Sequence, residues 1–179
     1  MSSEKFSRRR SRPYHGGVSD GYAIRPFRGG DLPRLQEITA QTFGPVSIDR
    51  NMEQRLGPFG QGDWSTRKVA AIADDCAAQP DGVFVAEAPG GQVVGYITTR
   101  LNPVSRIGWI PNLAVDPDHQ GHGLGRALLL HALDHFRRSG MEVAKIETLD
   151  QNPVGQALYP SLGFNEVARQ IHYAMRVDR

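Results

Sequence analysis

The apolar residues Leu32, Leu35, Ile38 and Phe43 recur at the three- and four-residue spacing of one helix face. That spacing predicts a helix over about 32–43, with Asp31 as its cap. Just before it, Tyr22–Phe27 alternates as a short strand, and Pro26 favours a place at a sheet edge. The stretch from Gly44 to Asp63 carries Pro45, Pro58 and four glycines, leaving room for one short helix at about Ile48–Leu56. A longer helix is predicted from a Ser65 cap through Ala78, stopped by Pro80.

Beyond Pro80 the period shortens. Val83–Ala86 is a short apolar strand, and Gly90-Gly91 suits a hairpin turn into a second strand at Val93–Thr99. A third strand at about Ile107–Val115 leads into Asp116-Pro117, and a long amphipathic helix over about 123–138 ends at Gly140. A strand at Val143–Leu149, a helix near Pro153–Ser161 and two last strands around Phe164–Ala168 and Ile171–Val177 complete the pattern. Hairpins mixed with strand–helix–strand crossings imply an α/β fold whose sheet has both antiparallel and parallel pairs.

Composition narrows this to one ordinary domain. The 179 residues are 39% hydrophobic and 22% charged, with no apolar run long enough to span a bilayer. A single cysteine, Cys76, rules out an intrachain disulfide and is compatible with a reducing, cytoplasmic setting. The formal charge of +2 is uneven, because Lys5, Arg8, Arg9, Arg10 and Arg12 oppose only Glu4 in the first twelve residues. Residues 1–20 therefore read as a disordered basic tail and 21–179 as the folded domain. No apolar stretch follows the arginines as an export signal would require. Contact of the tail with nucleic acid is the minor alternative to simple solvation.

The densest chemical signal is the run Leu113-Ala114-Val115-Asp116-Pro117-Asp118-His119-Gln120-Gly121-His122-Gly123-Leu124-Gly125-Arg126. An apolar strand feeds a loop with three alternating glycines, and the loop opens a helix. Glycine lets backbone approach a ligand closely. The first N–H groups of a helix lack internal partners and carry about half a positive charge, which suits a pyrophosphate. The mononucleotide spacing Gly-x-x-x-x-Gly-Lys-Ser/Thr is absent. The dinucleotide spacing Gly-x-Gly-x-x-Gly is missed by one position at Gly125, although Glu142 stands where a ribose-binding acid would belong. A purely structural glycine turn is the remaining alternative.

At these residues the chain resembles the GNAT acetyltransferase superfamily, whose Gln/Arg-x-x-Gly-x-Gly/Ala hallmark is matched by Gln120-Gly121-His122-Gly123-Leu124-Gly125. Asn152 followed by Ala157-Leu158-Tyr159-Pro160-Ser161-Leu162-Gly163-Phe164 is similar to a second family segment. The resemblance covers about residues 22–177 and implies a fold in which the strands at Ile110–Val115 and Val143–Leu149 splay apart to admit pantetheine. It implies acetyl-CoA as co-substrate, no metal, and backbone contacts from Leu113 and Val115. Gln120, Gly121, His122, Gly123, Gly125, Arg126 and Asn152 join them as cofactor-binding residues. Acetyl transfer to a primary amine in a ternary complex is the implied activity, with Tyr159 as general acid. Many members carry a glutamate on the strand before the turn, where Trp109-Ile110-Pro111-Asn112 has no acid. Glu147, twelve residues before Tyr159, is the implied base, and apolar Ile146 and Leu149 beside it suggest partial burial. Packing for Tyr159 and solvent exposure for Glu147 are the bland readings.

Other residues carry less. His131 and His135 lie four apart without the glutamate of a zinc-protease helix and read as exposed edge residues. Cys76 reads as an ordinary small residue. Asp49, Glu53, Asp63 and Trp64 suggest either an acidic, aromatic-edged mouth for a cationic acceptor or a solvated loop. The acceptor class, a small molecule or a protein amine, stays open. A homodimer is compatible with the sequence, while membrane partners are not expected. The competing class is a non-catalytic acyl-CoA sensor or interaction module.

Overall fold

The computed structural model describes residues 21–177, so the expected basic tail at 1–20 lies outside the described residues. The described chain runs β1 (Ala23–Pro26), α1 (Leu32–Thr42), α2 (Ile48–Leu56), α3 (Trp64–Ala78), β2 (Val83–Glu87), β3 (Val93–Asn102), β4 (Ile107–Val115), α4 (Leu124–Arg138), β5 (Val143–Ile146) and α5 (Pro153–Ser161). The five strands form one sheet in the order β1-β2-β3-β4-β5. The first four pair antiparallel, and β4 pairs parallel with β5 across the α4 crossover. Pro26 sits on the edge strand β1, where its missing N–H costs no ladder bond.

Helices cover both faces, which is why β2 and β3 read as nearly unbroken apolar runs. On one face Leu35 and Ile38 of α1 and Ile72 and Cys76 of α3 meet Val83, Val85, Tyr96 and Ala114. On the other, Leu124, Leu128, Leu129, Ala132 and Phe136 of α4 meet Phe84, Ala86, Val94, Ile97 and Ile110. The Tyr96 hydroxyl is fully buried but bonds Thr39 Oγ1 at 2.6 Å, so no polar group is stranded there. Phe136 lies directly on Gly108, where a Cβ would come within 2.5 Å of its ring.

Two local irregularities position the site. Trp109 pairs with Arg100 and Asn112 with Thr98, so three steps along β4 face two along β3. The extra residue is a β-bulge at Ile110–Pro111, and it turns Asn112 toward the α3 face although Ile110 points at α4. The β4–β5 ladder covers only Ile107–Ile110 against Val143–Ile146. Pro111 follows without an N–H, and the remainder of β4 has no strand on that side.

Several expectations need correction. The Asp31 carboxylate does not cap α1; it bonds Arg25 and the Arg28 N–H instead. Asp63, not Ser65, caps α3 by accepting from the Thr66 N–H at 3.0 Å. The strand expected through Leu149 ends at Ile146, and no strand forms at 164–168 or 171–177. In that last segment Val167, Ile171, Tyr173, Met175 and Val177 are exposed. Alternation there lacks the paired neighbour and buried face that turn a β pattern into a strand.

His131 and His135 are not free edge residues either. Their rings pack on Phe84 with centroids 4.5 and 5.2 Å away. Burial, followed by the nearby Arg138, holds both imidazoles below their ordinary value of 6.5, with Asp134 opposing. The fold therefore prefers them neutral. Well above pH 6.5 they are neutral folded or unfolded and contribute no slope. As pH falls below that value the unfolded chain takes up protons that the fold resists, and stability drops until the folded-state values are passed. Melting temperature should fall over this window, and a His131→Leu/His135→Leu chain should lose that part of the slope. Equal slopes in the two proteins would contradict the assignment.

Candidate cofactor and catalytic site

The parted strands leave a usable backbone edge. The Asp116 N–H donates to the Val94 carbonyl at 2.8 Å, which fixes the phase of the β3–β4 ladder. Asp116, Ala114 and Asn112 are then the residues that exchange bonds with β3. Leu113 and Val115 fall between them and turn their N–H and C=O groups outward, toward the side that β5 has left. The Gln120 side chain confirms this phase, donating from Nε2 to the Val115 carbonyl at 3.1 Å.

The turn after β4 is braced from below. Asp116 is 6% exposed, accepts from the Asp118 N–H at 2.9 Å and pairs with Arg34 of α1. Arg34 also donates to the Val93 carbonyl at 3.1 Å, joining α1, β3 and the turn in one contact set. Tyr22 hydroxyl meets His119 Nδ1 at 2.9 Å, and its ring lies 5.7 Å from that of His122. Gly121 and Gly123 then take φ of +83° and +75°, a region that side chains disfavour. A Cβ at either would meet nothing within 4 Å, so space is open above both. Gly123 is the N-cap of α4 and offers no side chain to the first helical N–H groups. Those donors, and the positive end of the helix dipole, face the open space. Gly125 and exposed Arg126 follow in the first turn, and Arg126 reaches Ser161 of α5 at 3.2 Å. This arrangement fits a pyrophosphate.

Helix α5 brings Tyr159 to the α4 face, against the core beside Leu158 and Phe164. Burial raises the Tyr159 hydroxyl above its ordinary 10.0, so it holds its proton at neutral pH. Asn152 caps this helix, accepting from the Gly155 N–H at 3.1 Å and donating to Thr148 Oγ1 at 2.8 Å. Its amide is thus engaged in fixing the β5–α5 connection. Gly155 escaped notice in the sequence, yet a Cβ there would lie 3.0 Å from the Tyr159 ring and 2.8 Å from Asn152 Nδ2.

Glu147 follows the last residue of β5. Ala144 and Ile146 pack toward α4, so alternation turns Lys145 and Glu147 to the opposite face, across the sheet from Tyr159. The partial burial expected of Glu147 is not found. It is 55% exposed and paired with Lys145 at 2.5 Å, and the Lys145 ammonium lies 5.7 Å from the Trp109 ring.

The acidic residues of the Gly44–Asp63 stretch do not form an open mouth: Asp63 is exposed at the start of α3, and Asp49 and Glu53 are engaged by a cation. Arg67 pairs with Asp49 at 3.5 Å and Glu53 at 3.2 Å, while Glu53 also accepts from the Trp64 N–H. Gln151, in the β5–α5 loop, donates to the Pro45 carbonyl at 2.7 Å and meets Asn51 of α2, tying that loop to the start of α2. Among the described residues no cluster of His, Cys, Asp or Glu could hold a metal. No helix among them is long and apolar enough to cross a membrane.

A mixed sheet with parted strands, an outward backbone edge and an uncapped glycine helix start defines an α/β domain built to take a pyrophosphate-bearing arm. Residues 49–164 match the model of the Acetyltransferase (GNAT) family. A mycothiol acetyltransferase of Thermomonospora curvata is 34% identical over 158 residues, covering 83% of this chain and 52% of that protein. The crystal structure of the ribosomal-protein-S18-alanine N-acetyltransferase from Escherichia coli superposes with a TM-score of 0.59 at 27% identity, over 88% of this chain and 86% of that one. N-acetylglutamate synthase from Neisseria gonorrhoeae, solved with coenzyme A and N-acetyl-glutamate, shares the fold at a TM-score of 0.56 and 19% identity, over 82% of this chain and 29% of that one. The chain belongs to the GNAT acetyltransferase family. It spans about half the length of the curated mycothiol acetyltransferase it matches.

The brace under the turn makes a direct prediction. Arg34→Met leaves the Asp116 carboxylate buried and unpaired, at a cost of about 3 kcal/mol. Adding Asp116→Asn should restore part of that loss, because a neutral amide can still accept from Asp118. Urea unfolding of the single and double variants measures both effects.

Proposed function

We propose that the chain is an N-acetyltransferase, acting in the cytoplasm, that transfers the acetyl group of acetyl-CoA directly to a primary amine within a ternary complex. The observation that carries this reading is the outward edge of Leu113 and Val115 running into the uncapped start of α4, with the protonated Tyr159 on the neighbouring helix. Acetyl-CoA supplies an activated thioester when bound.

The residues divide the work as follows. Leu113, through its outward N–H and C=O, and Val115, through its N–H, bond the pantetheine amides, while Gln120 holds the Val115 carbonyl. Gly121 to Arg126 hold the pyrophosphate by N–H groups and helix field, with Gln120 and His122 beside it, and Asn152 sets α5 in place. A backbone N–H on the same edge polarises the acyl carbonyl, a contribution on the order of 3 kcal/mol for one well-placed donor. Glu147, on the other face, takes one proton from the arriving ammonium directly or through one water, since an alkylamine of pKa about 10 arrives charged, and this frees the nitrogen lone pair for attack. Tyr159 gives its proton to the departing sulfur and is reprotonated, through solvent, by the second proton that the nitrogen loses as the amide forms. Lys145 competes for Glu147, so proton acceptance requires that pair to loosen as the acceptor arrives.

The names of the relatives, a mycothiol acetyltransferase and a ribosomal-protein-S18-alanine N-acetyltransferase, are compatible with either a small-molecule or a protein acceptor. A primary amine is the shared chemistry proposed for this chain. A second copy of the chain is compatible with this reading but supplies nothing to it.

Tyr159→Phe should lower kcat by roughly a hundredfold or more, the usual contribution of a positioned proton donor, with KM for acetyl-CoA nearly unchanged. Thiol release in a screen of amine acceptors measures this. Normal turnover by the variant with its best acceptor would remove Tyr159 from the acid role, and no turnover by the wild type with any amine class would favour an acyl-CoA sensor. Glu147→Gln should suppress kcat most on the acidic limb and shift the pH–rate profile. An unchanged profile would assign deprotonation to water alone.

A further inference from the structure

The bulge in β4 is held by a polar set that the catalytic scheme leaves unused. Asn112 is only 3% exposed and is the first β4 residue past the bulge to pair with β3. Its Nδ2 donates to Asp75 Oδ2 at 2.7 Å and to Thr98 Oγ1 at 2.9 Å. Its Oδ1 accepts from Lys68 Nζ at 2.8 Å. A lysine cannot accept and a carboxylate cannot donate, so the amide has one orientation only. Asp75 is in turn anchored by Arg100 at 2.6 Å, and the Lys68 ammonium lies 4.5 Å from the centre of the Phe43 ring.

The position of these partners matters more than their number. Thr98 and Arg100 are the two β3 residues on either side of the register shift. Lys68 and Asp75 both come from α3. The set therefore staples the bulge from three directions and ties it to a helix on the face opposite α4. A bulge resets the pairing phase, and a slip of one residue there would turn the outward groups of β4 inward. Leu113, whose N–H and C=O face the gap, is the next residue after Asn112.

We propose that Asn112 is a positioning residue for the cofactor. With Lys68, Asp75 and Thr98 it locks the bulge so that the Leu113–Val115 edge meets the pantetheine arm. This rests on the proposed use of that edge for acetyl-CoA. A carboxylate at 112 would sit against Asp75, and the staple would repel itself.

The test is calorimetric titration of the full chain with acetyl-CoA, at a temperature where each variant is folded by circular dichroism. Asn112→Ala should raise Kd tenfold or more. Lys68→Met should raise it about threefold, and Lys68→Arg, which keeps a donor, should stay within twofold of wild type. Ile72→Ala, a core change on the same helix outside the set, should stay within twofold even when its melting temperature falls as far. Wild-type affinity in Asn112→Ala would overturn the proposal, as would equal weakening by Ile72→Ala. Should Asn112→Ala fail to fold, wild-type affinity in Lys68→Met would overturn it instead. Absence of saturable binding by the wild type would overturn the use of the edge itself, a result distinct from any variant difference.

Discussion

Between Trp109 and Asn112 strand β4 carries one residue more than β3 opposite it, and the residue that follows Ile110 is a proline with no N–H for β5. Everything at the site follows from that interruption. Pairing with β5 stops at Ile110 and Ile146, while the β3 ladder continues to Val115. A strand bonded on one side and released on the other presents a row of unpaired donors and acceptors. Open edges of this kind are usually covered or charged, because they invite another chain. Here the edge lies between β4 and the strand that has left it, where an extended amide-bearing ligand could use it.

The same strand delivers the second half of the site. It ends at Asp116, whose buried carboxylate is held by Arg34, so the turn that follows leaves the sheet at a fixed angle. Two glycines with positive φ then lead into α4 without a capping side chain, and the helix start faces open space. The edge offers hydrogen bonds to an extended arm, and the helix start offers field and donors to a diphosphate. Tyr159 and Glu147 stand on opposite sides of the sheet beside them, and Gly155 gives the Tyr159 ring its room.

Contiguous signals in the sequence translated well. The strand feeding the glycine run, the start of α4, the short helix at Ile48–Leu56 and the placement of Asn152 ahead of α5 are all decided within a few residues of chain. What failed was decided by distant partners. Asp31 is as good a cap as Asp63 by local rules, but Arg25 is within reach and takes it. His131 and His135 look like edge residues until Phe84 of β2 is packed beneath them. The alternating tail from Ile171 onward has strand chemistry without a partner strand. Glu147 has apolar neighbours in sequence, yet Lys145, on the same face two residues earlier, keeps it at the surface. The Asn112 set joins residues 68, 75, 98 and 112 from three elements, and no local pattern could have shown it.

The site is built on backbone groups, so the most direct test reads backbone groups. Amide hydrogen exchange followed by NMR, with and without saturating acetyl-CoA, reports each N–H separately. Exchange should slow at Leu113 and Val115 and across His122 to Arg126, with little change at Ala114, whose N–H is already bonded to β3. Binding without protection at Leu113 and Val115, or protection centred on another part of the sheet, would contradict this use of the edge.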